Sequence, residues 1–364
     1  MKFHPLHIAA LTLALASSAT MANAASLITY TCDPSVSAAT CNYLNTTVAG
    51  QYGSTFTNAS ADIYITYGTT GLASTYSYLN DVSYSSYVAA LAANPDKDAL
   101  QVSALAALSA YDSTPYGSGN VGLSAALETT LGLGTATGTT STGAACFTIG
   151  SAGCYDAVVT VINDPQDFGF SLYYDNLGGP EPSDAYDFYG AVEHETDEVL
   201  GTSSCISTQG ASLSDGCDFA GDGTPSVVDL FRYSAPGSLV LDSSLSTAPG
   251  AYFSYNGGTT NGATGVGGDP KFYNTLDNGN DYADFISSSP DCGTNQAVQD
   301  AEGCPGEDAG LNILNDGGSE INILNAVGYD LNSPANVTPE PDTFVLLLSG
   351  LGSLAALKRR RRSS

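Results

Sequence analysis

The chain has 364 residues and a formal net charge of −28 at pH 7, from 37 acidic and 9 basic residues. A surface of this sign repels nucleic acid and anionic lipid, which excludes both as partners. Hydrophobic residues make up 43% of the chain, enough to build a core and to argue against disorder.

The first predicted element in chain order is a secretion signal. Lys2 precedes an apolar run over residues 8–15, and the small residues Ala22-Asn23-Ala24 follow. This three-part order is typical of a secretory signal peptide. We therefore expect residues 1–24 to be removed and the remainder to be exported.

The exported part, residues 25–335, is predicted to form one domain that contains both strands and helices. Alternation of polar and β-favouring residues predicts a first strand over 62–67, near the start of the domain. Periodicity and breaker residues predict the remaining elements. These are helices over 84–93, 98–108 and 123–131, strands over 157–162 and 168–173, a helix over 184–200 ended by Gly201, a helical turn over 227–233, a strand over 252–255 and a helix over 320–327. The mixture predicts an α+β fold.

The cysteines predict disulfide bonds. All eight lie in the exported part as four sequential couples: Cys32 and Cys41, Cys146 and Cys154, Cys205 and Cys217, Cys292 and Cys304. An even number in an exported chain indicates disulfides, and we expect four local loops, although eight cysteines allow many other pairings. A zinc–thiolate cluster is the alternative, and no C-x2-C spacing supports it.

One histidine remains after removal of the signal peptide, and it stands in His194-Glu195-Thr196-Asp197-Glu198. Residues four apart share a helix face, so His194 and Glu198 can bind one metal ion. Glu195 would then stand beside the ion as a general base. The pattern is that of the zinc proteases, H-E-x-x-H, with a carboxylate in place of the second histidine. The alternative is a solvated acidic helix face.

A third metal ligand is not identified by the sequence. Ser204 occupies the position of the third histidine in the longer metzincin pattern, and no methionine outside the signal peptide can form a Met-turn. The nearby candidates are Asp215, Asp218, Asp222 and Asp229. One histidine with two carboxylates would be a harder and weaker site for zinc than a histidine-rich one, which leaves calcium, manganese or iron open. Asp218, Asp222 and Asp229 could instead form a calcium site.

Arg232 is the only arginine of the exported domain. One interpretation has it bind a substrate carboxylate or brace Glu198. The interpretation that we favour is an internal ion pair that fixes the loop after the helix of Glu198.

The C-terminal end has three parts: Pro339-Glu340-Pro341, an apolar stretch over 344–357, and a basic end over 358–362. This order resembles the PEP-CTERM sorting signal, which we assign to residues 336–364. The resemblance implies processing by an exosortase and transient membrane insertion through 344–357. An ordinary C-terminal membrane anchor is the alternative.

Segments spread over the exported part resemble a family of exported zinc metalloproteases that often carry PEP-CTERM tails. They lie at 76–80, 85–92, 186–190, 194–201, 228–237 and 324–330. The family motif is H-E-x-x-E-x-x-G-R, and this chain has Thr202 in place of the arginine. The resemblance implies a metzincin-like α+β domain that hydrolyses peptide bonds at the cell envelope or in the extracellular matrix, with Glu195 as base and His194 and Glu198 as zinc ligands. The alternative is a catalytically inactive matrix or adhesion protein that binds exopolysaccharide.

Overall fold

The structure is a computed structural model. It describes residues 27–69, 71–111, 119–162, 171–173, 185–206, 224–240, 250–274, 281–286, 296–306, 313–314 and 316–332. Its strands are β1 Leu27–Cys32, β2 Ser60–Gly68, β3 Ala73–Ser77, β4 Leu79–Ser83, β5 Asn120–Ser124, β6 Gly138–Thr139, β7 Ala145–Cys146, β8 Ala157–Ile162, β9 Ser171–Tyr173, β10 Ala185–Asp187, β11 Arg232–Ala235, β12 Ser238–Leu239 and β13 Tyr252–Phe253. Its α-helices are α1 Ala38–Tyr43, α2 Ala49–Thr55, α3 Tyr84–Ala93, α4 Ala99–Ser109, α5 Ala125–Thr130, α6 Phe188–Asp197 and α7 Ser319–Val327.

A four-stranded mixed sheet forms the frame, with the strand order β1-β2-β8-β3. Strands β1, β2 and β8 are parallel, and β3 pairs antiparallel with β8. Among the described residues, β3 is an edge strand of this sheet. The five buried positions of the nearly uniformly apolar β8 fit an inner strand covered on both faces. Together with the helices, this sheet confirms the predicted α+β class.

The domain begins earlier than predicted. The strand at 62–67 is the core of β2, but β1 precedes it and pairs with it in parallel register from Leu27 opposite Ser60. Ile28 and Tyr30 of β1 are buried. A helical segment follows, from α1 through a π-helical stretch at Leu44–Val48 into α2, and Ser37 caps its start. The prediction of a first strand near residue 60 was therefore wrong.

The helices with clear caps agree well with the predictions. Helix α3 has the predicted bounds, and α4 starts after Asp98, whose side chain forms a capping box with Gln101. The predicted helix at 123–131 is wrong at its start, because Leu123 belongs to β5 and α5 begins only after the Ser124 cap. The predicted turn at 227–233 is a 3₁₀ turn at Val228–Phe231 that leads into β11.

A common hydrophobic core joins the sheet to the helices, with members from Ile28 to Tyr329. Helix α7 packs against α4 and against the helical turn Glu198–Thr202 that follows α6. In the described part of the chain, no helix is long and apolar enough to cross a membrane. The predicted signal peptide and sorting signal lie outside the described residues.

Two predicted disulfides are confirmed, Cys32–Cys41 and Cys146–Cys154. Cys205 and Cys304 are also disulfide-bonded. Cys217 and Cys292, their predicted partners, lie outside the described residues. The zinc–thiolate alternative is wrong for the bonded cysteines, because their sulfurs are not free thiolates.

Candidate metal centre

Helix α6 carries the H-E-x-x-E motif against the edge of the sheet. Asp187 caps its start by accepting a hydrogen bond from the Tyr189 amide, and Phe188 and Val192 are buried. The predicted helix over 184–200 is too long at its start, because Ala185–Asp187 is β10, paired in parallel with β9. After Asp197 the helix widens into a π-helical turn, Glu198–Thr202, which turns out of the helix at Gly201 with φ of 123°.

His194, Glu198 and Asp284 converge on one point. The Nε2 atom of His194 lies 3.8 Å from Oε1 of Glu198 and 3.6 Å from Oδ1 of Asp284. The three donor atoms all lie within 4.8 Å of one another, as for ligands of a single ion, and no other such group is found in the described residues. One imidazole and two carboxylates are donors that divalent cations accept, so the residues present fit a metal.

The imidazole of His194 is held in one orientation. Its Nδ1 lies 2.9 Å from the Val298 carbonyl, which can only accept, so Nδ1 carries the proton and Nε2 faces the carboxylates. Burial opposes protonation, but the Asp284 and Glu195 carboxylates outweigh it and raise the pKa of His194 to about 9. A metal ion must therefore displace a proton at neutral pH.

Glu195 lies beside this group, on the side of the edge strand. The hydroxyl of Thr75 in β3 donates to its Oε2 at 2.6 Å and also approaches its backbone carbonyl at 3.1 Å. A side-chain hydrogen bond joins Glu195 to Glu198, and burial raises the pKa of both carboxyls. Their hydrogen bond adds to the rise in the pKa of Glu198 and opposes the rise in that of Glu195.

Asp284 was missed by the sequence reasoning. It follows Glu198 far along the chain, and no regular spacing links the two. A possible signal was its setting in Tyr282-Ala-Asp-Phe285, where an acid lies between residues that are buried in the structure. The backbone at Asp284 is fixed, since its carbonyl accepts from the Asn274 amide at 2.7 Å.

Arg232 binds the backbone next to Asp284 and is too deeply buried to bind a substrate carboxylate. Its guanidinium is buried and donates to the carbonyls of Tyr282 and Asn274, and it lies 5.0 Å from the ring centre of Tyr273. Among the described residues it forms no ion pair within 4.0 Å, so the predicted internal ion pair is wrong. Both ends of the Asn274–Tyr282 segment are instead bound through their backbone.

Asp229 is not part of the converging group of donors. Its carboxylate accepts hydrogen bonds from the Ser204 hydroxyl at 2.5 Å, the Cys205 amide at 2.9 Å and both polar groups of Ser226 at 2.9 Å. These bonds occupy its oxygens and fix the chain that leaves Gly201. As a third ligand it was a wrong candidate. Asp215, Asp218 and Asp222, the other candidates, lie outside the described residues.

The remaining acids of α6 are buried, so the alternative of a solvated acidic face is wrong. Glu193 is 1% exposed and Asp197 is fully buried. Glu193 accepts from the Gln51 amide at 2.6 Å, and Asp197 accepts from the Tyr52 hydroxyl at 2.8 Å. Burial raises the pKa of both carboxyls well above its usual range.

The comparison with protein families matches residues 337–362 to the PEP-CTERM protein-sorting motif. The chain thus carries this exosortase sorting signal, which supports export to the cell envelope and contact with the sorting machinery. Neither the curated proteins nor the solved structures gave a match.

Proposed function

We propose that the protein is an exported metal-dependent peptidase in which His194, Glu198 and Asp284 hold a divalent cation and Glu195 is the general base. The observation that carries the proposal is the convergence of these three donor atoms within 4.8 Å, beside a further carboxylate. The chemistry that such a cation supplies is Lewis acidity, which makes water a better nucleophile near neutral pH.

The donor set is suited to zinc and equally to manganese or calcium. Imidazole favours zinc, whereas carboxylate oxygens favour harder ions. The side chains of His194 and Glu198 are 16% and 13% exposed, so each is partly open to solvent. Hydrolysis requires a cation that is held by protein ligands and is also accessible to water.

In this proposal Glu195 takes a proton from the nucleophilic water. Thr75 holds one of its oxygens, and the hydrogen bond to Glu198 would be released when Glu198 binds a cation. The second oxygen of Glu195 is then available as a proton acceptor next to the metal ligands. Thr75 is thus a positioning residue for this base.

The edge strand favours an extended peptide as substrate. Strand β3 is an edge strand of the sheet among the described residues, and its residue Thr75 contacts Glu195 directly. An extended peptide can add to an edge strand through main-chain hydrogen bonds, which would bring a peptide carbonyl close to α6.

The test combines metal content with proteolysis, on the full chain purified after export. We expect about one divalent ion per chain, and hydrolysis of casein that a chelator abolishes. Glu195→Gln should keep the metal and lose about 10²–10⁴-fold in activity, because the base is removed and the ligands remain.

Glu193→Gln is the matched control, because it makes the same change on the same helix at a buried acid outside the site. It should leave both metal content and activity unchanged. A folded protein without metal and without proteolysis would reject the peptidase, and a non-catalytic matrix role would then be the better hypothesis.

A further inference from the structure

The side-chain amide of Gln299 contacts two of the three converging donors. Its Nε2 lies 3.3 Å from Nε2 of His194 and 3.1 Å from Oδ1 of Asp284. The side chain is fully buried. An amide NH₂ group here donates to the Asp284 oxygen that a cation needs and faces the His194 nitrogen that would bind the cation, so it cannot keep this orientation beside a cation.

The backbone of Gln299 is fixed, which leaves rotation of the amide as the simplest adjustment. Its N–H donates to Oε1 of Glu320 at 2.9 Å, and its carbonyl accepts from the Phe285 amide at 2.8 Å. A half-turn of the amide exchanges the positions of its oxygen and nitrogen almost without other movement. The oxygen would then face the converging donors.

Thr202 provides the partner that tolerates both orientations. Its hydroxyl lies 3.2 Å from Oε1 of Gln299. A hydroxyl both donates and accepts, so it can donate to the amide oxygen in one orientation and accept from the NH₂ group in the other.

We infer that Gln299 is a fourth protein ligand of the cation through its side-chain oxygen, an inference that rests on the proposed function. Thr202 is the hydrogen-bond partner that lets the amide turn. The complete donor set is then one imidazole, two carboxylates and one amide oxygen. Three oxygen donors shift the preference of the site from zinc toward manganese or calcium.

The experiment is a calorimetric titration of the metal-free full chain with Mn²⁺ and, separately, with Zn²⁺. Gln299→Leu should raise the Mn²⁺ Kd about 10–100-fold and the Zn²⁺ Kd by less, since an oxygen donor matters more to the harder ion. Gln299→Glu keeps an oxygen donor and should bind Mn²⁺ at least as tightly as the wild type. Thr202→Val should weaken Mn²⁺ binding by up to about tenfold.

Each outcome decides the inference. Unchanged Mn²⁺ affinity in Gln299→Leu would overturn it while the proposed function stands. If Gln299→Leu does not fold, Gln299→Glu decides, and a loss of Mn²⁺ binding in that folded variant overturns the ligand role. A wild-type chain that binds neither ion rejects the proposed function itself. A merely structural role would lower the thermal midpoint of the metal-free variants without a change in Kd.

Discussion

At the scale of single residues, the acids of helix α6 and of the π-helical turn after it lie on two faces. His194 and Glu198 are two of the converging donors and Glu195 lies beside them, whereas Glu193 and Asp197 point into a buried polar region with Gln51 and Tyr52. The two faces differ in partners: the first has unlike donors directed at one point, and the second has neutral groups that hydrogen-bond each acid separately. Only the first arrangement suits a cation.

The contribution of Asp284 can be measured by Asp284→Asn. The change removes one charge and keeps the shape of the side chain, so we expect metal affinity to fall by about 10²-fold or more, because the site loses one of only two carboxylate ligands. Titration of the metal-free protein with Zn²⁺ and Mn²⁺ measures the effect. The exposed Asp269→Asn is the control and should bind as the wild type. Equal affinity in the two variants would remove Asp284 from the ligand set.

Helical spacing predicted that His194 and Glu198 could meet and that Glu195 would lie beside them, because these relations depend only on local geometry. Asp284 and Gln299 come from loops far along the chain, and their approach depends on tertiary contacts such as Arg232 with the carbonyls of Asn274 and Tyr282. No periodicity encodes such an approach. Asp229 failed as a candidate for the same reason.

At the scale of elements, the π-helical turn after α6 links the ligand Glu198 to the chain that carries Thr202. Gly201 lies near the end of this turn with φ of 123°, a backbone conformation that residues other than glycine rarely adopt. The sequence predicted the helix end at this glycine correctly, because glycine is typical of such ends. It did not predict the widened turn, since no residue type specifies π-helical geometry.

Gly201→Ala tests whether this turn holds the site together. The added Cβ would lie 3.5 Å from Leu127 and Val227, which is ordinary contact, so the cost comes from the backbone conformation. We expect the free energy of unfolding to fall by about 1–3 kcal/mol, measured by denaturant titration. Metal affinity should fall with it, because Glu198 and Thr202 lie on the same turn.

Gly50→Ala is the control for this substitution. Gly50 lies inside α2, and a Cβ there would meet nothing within 4 Å. Alanine should raise stability by up to about 1 kcal/mol at this position. A stable Gly201→Ala protein with unchanged metal affinity would contradict the role given to the turn.

At the scale of the whole molecule, the exported domain buries many acids and very few bases. Arg232 and Lys271 are the buried basic side chains of the described residues, and Lys271 pairs with Asp300 at 2.6 Å. Burial therefore raises the pKa of many carboxyls, including Asp156 to about 7 and Asp300 to about 7. A carboxyl with a raised pKa binds its proton more readily in the folded chain than in the unfolded chain.

The stability of the metal-free protein should consequently fall as pH rises from about 4 to about 7. An acid whose folded pKa is raised contributes its full stability below its unfolded pKa and loses it as pH rises to the folded pKa. Asp156 is not one of the converging donors. It lies just before β8, where its Oδ2 accepts from the Asp62 amide at 2.7 Å and burial is the main cause of the pKa shift. A shift of about three units corresponds to about 4 kcal/mol at most.

Asp156→Asn measures how much the raised pKa of Asp156 contributes to the pH dependence of stability. Asparagine imitates the protonated acid and still accepts from the Asp62 amide, so the variant should equal the wild type near pH 4 and exceed its stability by up to about 4 kcal/mol at pH 8. Denaturant titrations at a series of pH values measure the difference, with the exposed Asp96→Asn as the control expected to follow the wild type. A variant that is less stable than the wild type at pH 8 would show that the Asp156 carboxylate is stabilised when charged, opposite to the effect expected from its burial.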